Sequence, residues 1–347
     1  MIRSEEFKHQ NTTYLQNPGA IKPEKYYKII NANLVPVKET SYHVTFRISE
    51  ACDLACSYCD WHGGKHYKYE DIIGSIDAMF EFFKKESIKT VIFYYHGGEA
   101  TRHPKIINIM KHVHQRGEEY NITAYNELQT NLTLQISKIK QILENVDILD
   151  ITFHYIELTK RRYKLESFIR NFNYIQKENI NINSLDIMLE QIEGTDLEEF
   201  RNYVLGFLEY SNITHSEMIY GFGYDFDHND ETATIHYEFY KKHNKSEQQY
   251  EIDGKTYSTN ELFQRGADFT GWHCDTGIKN IYVNGDGNVY QCGIAMTNNL
   301  HGISNGIFTN LLNDKLALTK MSILRKSGTM CRWDYCGGDF YLPKDKK

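Results

Sequence analysis

The chain has 347 residues, of which 41% are hydrophobic and 24% are charged, and its formal net charge is −7. This composition is close to the average of soluble globular proteins, so it excludes wholesale disorder and fibrous repeats, and the length allows one large domain or one medium and one small domain. The acidic balance, without long runs of one sign, argues against a nucleic-acid partner. Neither an apolar signal segment nor a membrane-length apolar stretch occurs, so we expect a cytoplasmic protein without a membrane partner.

Short strands alternate with amphipathic helices through the first two thirds of the chain. The predicted strands are residues 41–48, 90–95, 122–128, 148–154, 182–189 and, more weakly, 217–220. The predicted helices are residues 69–83, 106–114, 134–143, 163–176 and 197–208. Strands separated by helices of this length indicate βαβ units with right-handed crossovers, so the sequence predicts an α/β fold with a parallel sheet.

The pattern changes after the sixth strand. Residues 221–231 are rich in Gly and Asp and the following stretch to residue 267 is polar, which is typical of a connector or an insertion on the substrate side. Residues 281–283 and 289–292 flank an Asn-Gly-Asp-Gly turn and predict a hairpin. The predicted organisation is therefore an extension (1–40), an α/β domain (41–220), a connector (221–267) and a small C-terminal domain (268–347).

Seven cysteines fall into an early group of three and a late group of four. An odd number in a chain expected in a reducing compartment argues against a disulfide framework. The early group, Cys52-x3-Cys56-x2-Cys59, follows the first strand of the predicted sheet, which is where α/β proteins place ligand sites. Two readings stay open for these thiols: a structural zinc site with His62 as the fourth ligand, or a 4Fe–4S cluster with one iron left open for a small molecule.

The early cysteines resemble the signature of the radical SAM superfamily, including the aromatic Tyr58 directly before the third cysteine. The resemblance implies a partial (β/α)6 TIM-like barrel, S-adenosylmethionine (SAM) as cofactor and a 4Fe–4S cluster on Cys52, Cys56 and Cys59. In this family the reduced cluster cleaves SAM to methionine and a 5′-deoxyadenosyl radical, which removes a hydrogen atom from the substrate. The protein orients the substrate and excludes water and oxygen.

The same resemblance assigns SAM contacts to the ends of three further strands. Gly97, Gly98 and Glu99 would meet the amino group of SAM, because glycines allow close backbone approach and a carboxylate attracts an ammonium group. Further candidates for SAM binding, besides Tyr58, are the polar residues Thr130, Asn131, Thr152 and His154. His154 could equally be a hydrogen-bonded histidine of the barrel mouth. No catalytic acid, base or hydrogen donor could be identified.

The four late cysteines, Cys274, Cys292, Cys331 and Cys336, could close one coordination sphere. Four thiolates without histidine fit either a structural zinc or a second, fully ligated 4Fe–4S cluster. Their segment resembles the auxiliary-cluster extensions called SPASM and twitch domains. Four cysteines are too few for the two clusters of a full SPASM domain, so the resemblance favours the twitch-like form with one auxiliary cluster.

The cysteine count also bears on the reaction and the substrate. If both clusters form, no cysteine is left as a hydrogen donor, which favours net oxidation by a radical SAM oxidoreductase over epimerisation. SPASM and twitch enzymes mostly modify ribosomally made peptides, by crosslinking or dehydrogenation, or oxidise carbohydrate and aminoglycoside-like molecules. We therefore expect a peptide substrate, with a small-molecule dehydrogenase or epimerase as the alternative. The substrate side is predicted at Tyr224, Asp225, Asp227 and His228.

The resemblance implies an electron donor such as flavodoxin or ferredoxin. Only about 40 residues precede the first strand of the predicted sheet, fewer than a usual peptide-recognition domain has, which counts against a leader-guided peptide enzyme. Recognition of a leader can, however, come from a separate chain. Two readings of other kinds remain: a non-catalytic zinc or iron–sulfur binder, which would not bind SAM, and a radical methylase or RNA-modifying enzyme. The second usually has additional cysteines or a basic surface, which this chain lacks.

Overall fold

The structure, a computed structural model, describes residues 21, 23–30, 41–56, 59, 64–189, 195–220, 249–258, 262, 267–300, 306–331 and 344–345. The chain divides into two compact units. The first, the barrel unit, consists of Leu34–Ser246 and Val283–Gly287. The second, the small-sheet unit, consists of Met1–Asn33, Glu247–Tyr282 and Asn288–Lys347.

The secondary structure runs along the chain as follows. The strands are β1 Tyr27–Ile30, β2 Tyr42–Ser49, β3 Thr90–Gly97, β4 Thr123–Thr130, β5 Ile148–Phe153, β6 Ile182–Leu189, β7 Ile213–Tyr220, β8 Gln249–Ile252, β9 Lys255–Ser258, β10 His273–Cys274, β11 Asn280–Asn284, β12 Asn288–Tyr290, β13 Ile307–Asn310, β14 Thr329–Met330 and β15 Lys344–Asp345. The helices are α1 Tyr69–Lys85, α2 Ile106–Tyr120, α3 Ile136–Leu143, α4 Tyr155–Thr159, α5 Arg162–Lys177, α6 Thr195–Leu208, α7 Gly293–Leu300 and α8 Ala317–Ser327.

The barrel unit contains six parallel strands in the order β2-β3-β4-β5-β6-β7, joined by helices. This confirms the predicted α/β fold with parallel βαβ units and is consistent with the partial (β/α)6 TIM-like barrel. The sixth strand is longer than predicted, because β7 begins at Ile213 rather than at residue 217.

Alternate strand residues face the helices and form the core. Phe46 of β2 and Phe93 of β3 are fully buried and pack against each other, and Phe80 of α1 stacks on Phe93. On β5, Phe153 contacts Phe168 of α5 and Phe207 of α6, with ring centroids 4.9 Å apart in both pairs. Because successive strand residues point to opposite faces, the intervening residues lie on the other face of the sheet.

That other face is unusually polar for parallel strands, which are commonly apolar on both faces. It carries Thr45, Arg47, Tyr94, His96, Glu127, Gln129, Asp150, Thr152, Ser184 and Asp186. A hydrogen-bonded chain crosses four strands on this face: Tyr94 donates to Gln129, and the Gln129 amide donates to Thr152 and Asp186. The barrel unit therefore presents a polar inner surface suited to polar ligands.

The small-sheet unit has three groups of short strands. Strands β1, β8 and β9 form an antiparallel sheet over a core that includes Tyr250 and Phe269. Strand β10 pairs with β14 and β15, and β12 pairs with β13. The predicted hairpin is confirmed as β11 and β12, although its turn and the last two residues of β11 are counted in the barrel unit. Strand β1 lies in the predicted extension, and β8 and β9 lie in the predicted connector, so these three strands belong to a folded unit. The predicted domain boundaries otherwise stay predictions.

The predicted substrate-side residues Tyr224, Asp225, Asp227 and His228 lie outside the described residues. Among the helices that the structure describes, none combines the length and the apolar character needed to cross a membrane.

Candidate cluster and cofactor site

The early cysteines lie on a loop that follows β2. Cys56 is buried, and Cys52 and Cys59 are partly buried against the same apolar core. The loop is tightly turned, because Cys59 N donates to Cys56 O at 3.1 Å and Leu54 N donates to Cys52 Sγ at 3.4 Å. Burial and the nearby Glu99 carboxylate raise the pKa of the Cys52 thiol to about 12. Tyr58 and His62 lie outside the described residues.

The base of this cysteine loop is fixed on both sides by backbone hydrogen bonds. On one side, Glu50 N and Ala51 N both donate to Lys65 O, at 2.9 and 3.2 Å. On the other side, Gly98 N donates to Ser49 O at 3.0 Å and Glu99 N donates to Ala51 O at 2.8 Å. The end of β3 is therefore joined directly to the segment that leads into the first cysteine.

The two glycines at the end of β3 are needed for this close approach. Gly97 has φ +132°, a conformation that favours glycine, and a Cβ there would lie 2.4 Å from Ser49 O. A Cβ on Gly98 would lie 2.5 Å from both Glu50 O and Ala51 O. The close backbone approach predicted from the sequence is thus made to the chain's own cysteine loop, and an approach of SAM to these glycines stays a prediction.

The Glu99 carboxylate is buried, with the residue only 3% exposed, and receives four hydrogen bonds. Oε1 accepts from Thr101 N, Thr101 Oγ1 and Thr130 Oγ1, at 3.2, 2.5 and 2.9 Å, and Oε2 accepts from Asn131 N at 2.8 Å. Burial raises its pKa, and the hydrogen bonds partly oppose that shift. Thr130 and Asn131, predicted as SAM contacts, are therefore brought to Glu99, and their direct contact with SAM stays a prediction.

Asp53 joins the cysteine loop to the end of β4 and to α5, and the sequence analysis did not identify it. Its Oδ2 forms an ion pair with Lys164 Nζ and accepts from Thr133 Oγ1 at 2.7 Å, and its Oδ1 accepts from Asn131 Nδ2 at 3.2 Å. Burial opposes ionisation of Asp53, but the hydrogen bonds from Lys164 and Thr133 outweigh it and lower the pKa. The position of the Asp53 carboxylate between two cysteines was the signal that the sequence offered. Its ion-pair partner, Lys164, lies 111 residues away and could not be identified from the sequence.

The other two predicted SAM contacts lie at the carboxyl end of β5. Thr152 Oγ1 accepts from Gln129 Nε2 at 3.0 Å and so belongs to the polar inner face. His154 Nδ1 lies 3.6 Å from Cys56 Sγ, and burial lowers the pKa of this imidazole to about 4, so it is neutral at pH 7. Both positions are compatible with the predicted contacts, which stay predictions.

Three of the late cysteines lie in the small-sheet unit, and Cys336 lies outside the described residues. Cys274 of β10 pairs with Thr329 of β14, and Cys331 N donates to Trp272 O at 2.8 Å. Gly271 N also donates to Cys331 O at 2.9 Å, so the backbone of Cys331 is held beside the residues that precede β10. Cys292 precedes α7, where its Sγ accepts from Ala295 N at 3.4 Å.

A contact of the residue before Cys292 places this cysteine near β10 and β14. Gln291, directly before Cys292, accepts a hydrogen bond from Thr329 Oγ1 at 3.4 Å. Thr329 is the cross-strand partner of Cys274. The sequence prediction that the late cysteines converge is therefore compatible with the three that are described.

The donor chemistry of both groups fits iron–sulfur ligation, since thiolates are the usual ligands of 4Fe–4S clusters. Among the described residues, no three His, Cys, Asp or Glu side chains are assembled into a ready-made metal site. All six described cysteines are free thiols. Cluster binding would therefore draw the thiols of each group together and deprotonate them.

Comparison with known proteins supports the reading of the early cysteines. Residues 46–204 match the model of the Radical SAM superfamily. Solved structures of anSMEcpe are similar to this chain: the form with bound AdoMet has 16% identity and a TM-score of 0.49, covering 82% of this chain and 83% of the other. The form with AdoMet and the Cp18Cys peptide has 15% identity and a TM-score of 0.48, covering 82% of each chain. A search of curated proteins found no match. Residues 46–204, which contain the cysteine loop and Gly97-Gly98-Glu99, are thus the part of this chain that is similar to the Radical SAM superfamily.

Proposed function

We propose that the chain is a radical SAM enzyme that oxidatively modifies a peptide. The observation that carries the proposal is the pair of backbone hydrogen bonds between the Gly-Gly-Glu segment and the start of the cysteine loop. Gly98 N donates to Ser49 O and Glu99 N donates to Ala51 O, directly before Cys52. A cysteine triplet and a Gly-Gly-Glu segment placed side by side are what a site for SAM on an open iron requires. A non-catalytic metal-binding loop does not need these hydrogen bonds to a Gly-Gly-Glu segment.

The residues have separate tasks in this proposal. Cys52, Cys56 and Cys59 hold a 4Fe–4S cluster with one open iron, and the cluster with SAM supplies radical abstraction of a substrate hydrogen atom. The segment of Gly97, Gly98 and Glu99 fixes the loop and borders the SAM site. The polar inner face offers amide, hydroxyl and carboxylate groups that can orient a polar substrate.

The oxidative outcome rests on the late cysteines. If Cys274, Cys292, Cys331 and Cys336 hold one auxiliary 4Fe–4S cluster, no cysteine remains to return a hydrogen atom to the substrate. A peptide is the proposed substrate because the twitch-like extension that these cysteines resemble occurs in enzymes that modify ribosomally made peptides, although others of the kind oxidise carbohydrate and aminoglycoside alcohols. A flavodoxin or ferredoxin would supply electrons.

Iron and sulfide analysis with Mössbauer spectroscopy tests the metal sites. The reconstituted protein should contain about eight irons, and Cys52→Ala/Cys56→Ala/Cys59→Ala should retain about four. The wild type could instead contain zinc on the late cysteines and about four irons, all of which the triple variant loses. That result would still support the radical SAM proposal, but it would remove the argument for net oxidation. Iron-free protein after reconstitution would contradict the whole proposal.

The substrate class is tested separately by substrate-dependent formation of 5′-deoxyadenosine. Peptide pools should stimulate the formation of 5′-deoxyadenosine, and the modified peptide should have a lower mass than its precursor. Aminoglycosides and simple sugars should not stimulate this formation. Stimulation by sugars alone, with loss of two hydrogens or with epimerisation, would support the small-molecule alternative instead.

A further inference from the structure

A buried ion pair ties the cysteine loop to the barrel. Asp53 lies between Cys52 and Cys56, and the side chains of Asp53 and its partner Lys164 are 8% and 9% exposed. Lys164 belongs to α5, whose neighbouring residues Leu165 and Phe168 are fixed in the core. The loop is thereby attached, directly after its first cysteine, to a core-packed helix far away in sequence.

The polar contacts around this pair connect it to the SAM-facing motif. Asn131 donates through its backbone N to Glu99 Oε2 at 2.8 Å and through its side-chain Nδ2 to Asp53 Oδ1 at 3.2 Å. Thr133 Oγ1 lies 2.7 Å from Asp53 Oδ2, and Arg161 Nη1 lies 3.4 Å from Asp53 O. The loop, the end of β4 and α5 are thus held by one network.

A buried ion pair is a poor source of net stability but a strong geometric constraint. Bringing two charges out of water costs about as much as their attraction returns, whereas removing one partner leaves an uncompensated buried charge. The hydrogen bonds from Asn131 and Thr133 keep the Asp53 carboxylate in one orientation. The benefit of the pair therefore lies in where it places the loop.

We propose that Asp53 and Lys164 are positioning residues that hold the cysteine loop in place before the iron–sulfur cluster binds. The early thiols are not preassembled, so the cluster must draw them together. A loop that is fixed beside its first cysteine leaves less disorder to remove on binding. The part concerning the cluster rests on the proposed radical SAM function.

The first arm of the test uses the full-length protein without metal and measures hydrogen exchange of the loop amides between Ala51 and Cys56. Lys164→Met should speed this exchange by about tenfold or more, because the loop loses its anchor. The matched control is Lys160→Met, which removes the same side-chain type from an ion pair with Glu157 whose lysine is 56% exposed. It should leave the loop amides unchanged. Equal exchange in wild type, Lys164→Met and Lys160→Met would overturn the proposal.

Further variants separate positioning from the effect of an unpaired charge. Lys164→Arg keeps the cation and should restore slow exchange. Asp53→Asn/Lys164→Met removes both charges, so it should recover global stability while the loop amides still exchange fast. Loop exchange at the wild-type rate in this double variant would overturn the proposal, and it is also the decisive comparison if Lys164→Met alone fails to fold.

The second arm measures cluster retention and spectroscopy. After reconstitution with limiting iron and desalting, Lys164→Met should keep less of the cluster on the early cysteines than Lys160→Met, and the EPR spectrum of its reduced cluster should broaden. Wild-type retention and an unchanged spectrum in Lys164→Met would overturn the cluster part of the proposal. If the wild type binds no iron, the proposed function fails, and the metal-free exchange arm still tests the anchor.

Discussion

Replacing Gly98 by alanine should separate the end of β3 from the cysteine loop. The new Cβ would lie 2.5 Å from Glu50 O and Ala51 O, whereas ordinary contact begins at 3.4 Å, so the segments that follow β2 and β3 must move apart by about 0.9 Å. That movement lengthens the bonds from Gly98 N to Ser49 O and from Glu99 N to Ala51 O. At about 0.5–1.5 kcal/mol for each hydrogen bond, the loss is about 1–3 kcal/mol.

The assay is urea unfolding of the reduced, metal-free protein, with cluster content measured in parallel. Gly206→Ala is the matched control, because a Cβ at Gly206 meets nothing within 4 Å and the residue lies inside α6. Alanine there should be neutral or stabilise the chain by up to about 1 kcal/mol. The reasoning is refuted if Gly98→Ala unfolds within about 0.5 kcal/mol of the wild type and loads the cluster equally well.

Three further outcomes are expected. Asn171→Ala should destabilise the chain by about 2–3 kcal/mol in urea unfolding, because the buried amide donates to Leu132 O and Leu134 O at 2.6 and 2.8 Å, and Asn173→Ala, on the exposed side of the same helix, should be nearly neutral. The hydrogen bond to Asp147 raises the pKa of His114, so the stability that this pair contributes is present below the unfolded-state pKa and is lost as pH rises through the folded-state pKa. The melting temperature of the wild type should therefore fall between pH 5.5 and 9 by more than that of His114→Gln. Parallel curves of melting temperature against pH would contradict this. Cys331→Ala should lose the iron or zinc of the late cysteines while still forming 5′-deoxyadenosine without substrate, and loss of that formation would contradict separate metal sites.

The parallel strands could be predicted because local pattern determines them. Strand β3 is a run of β-branched and aromatic residues before Gly97, and the 3.6-residue period of α1 places Ile72, Ile76 and Met79 on one buried face. Strand β7 was predicted too short, since Ile213–Ser216 reads as polar turn sequence until β6 is seen beside it. Pairing of β1 with β8 brings together segments more than 200 residues apart, which no local pattern indicates.

The candidate site was predictable where one motif carries it and not where distant side chains meet. The spacing of Cys52, Cys56 and Cys59 and the segment ending in Glu99 are local signals. The ion pair of Asp53 with Lys164 is not, because its meaning depends on burial that only the folded chain provides. The sequence also could not indicate that Glu99 accepts four hydrogen bonds from its own chain.

The most direct test of the central claim is formation of 5′-deoxyadenosine from SAM by the anaerobically reconstituted, reduced protein. The account predicts that the wild type forms it, with methionine in equal amount, and that Cys52→Ala/Cys56→Ala/Cys59→Ala does not. A reconstituted wild type that binds iron but neither binds nor cleaves SAM would contradict the claim and leave a non-catalytic metal-binding protein.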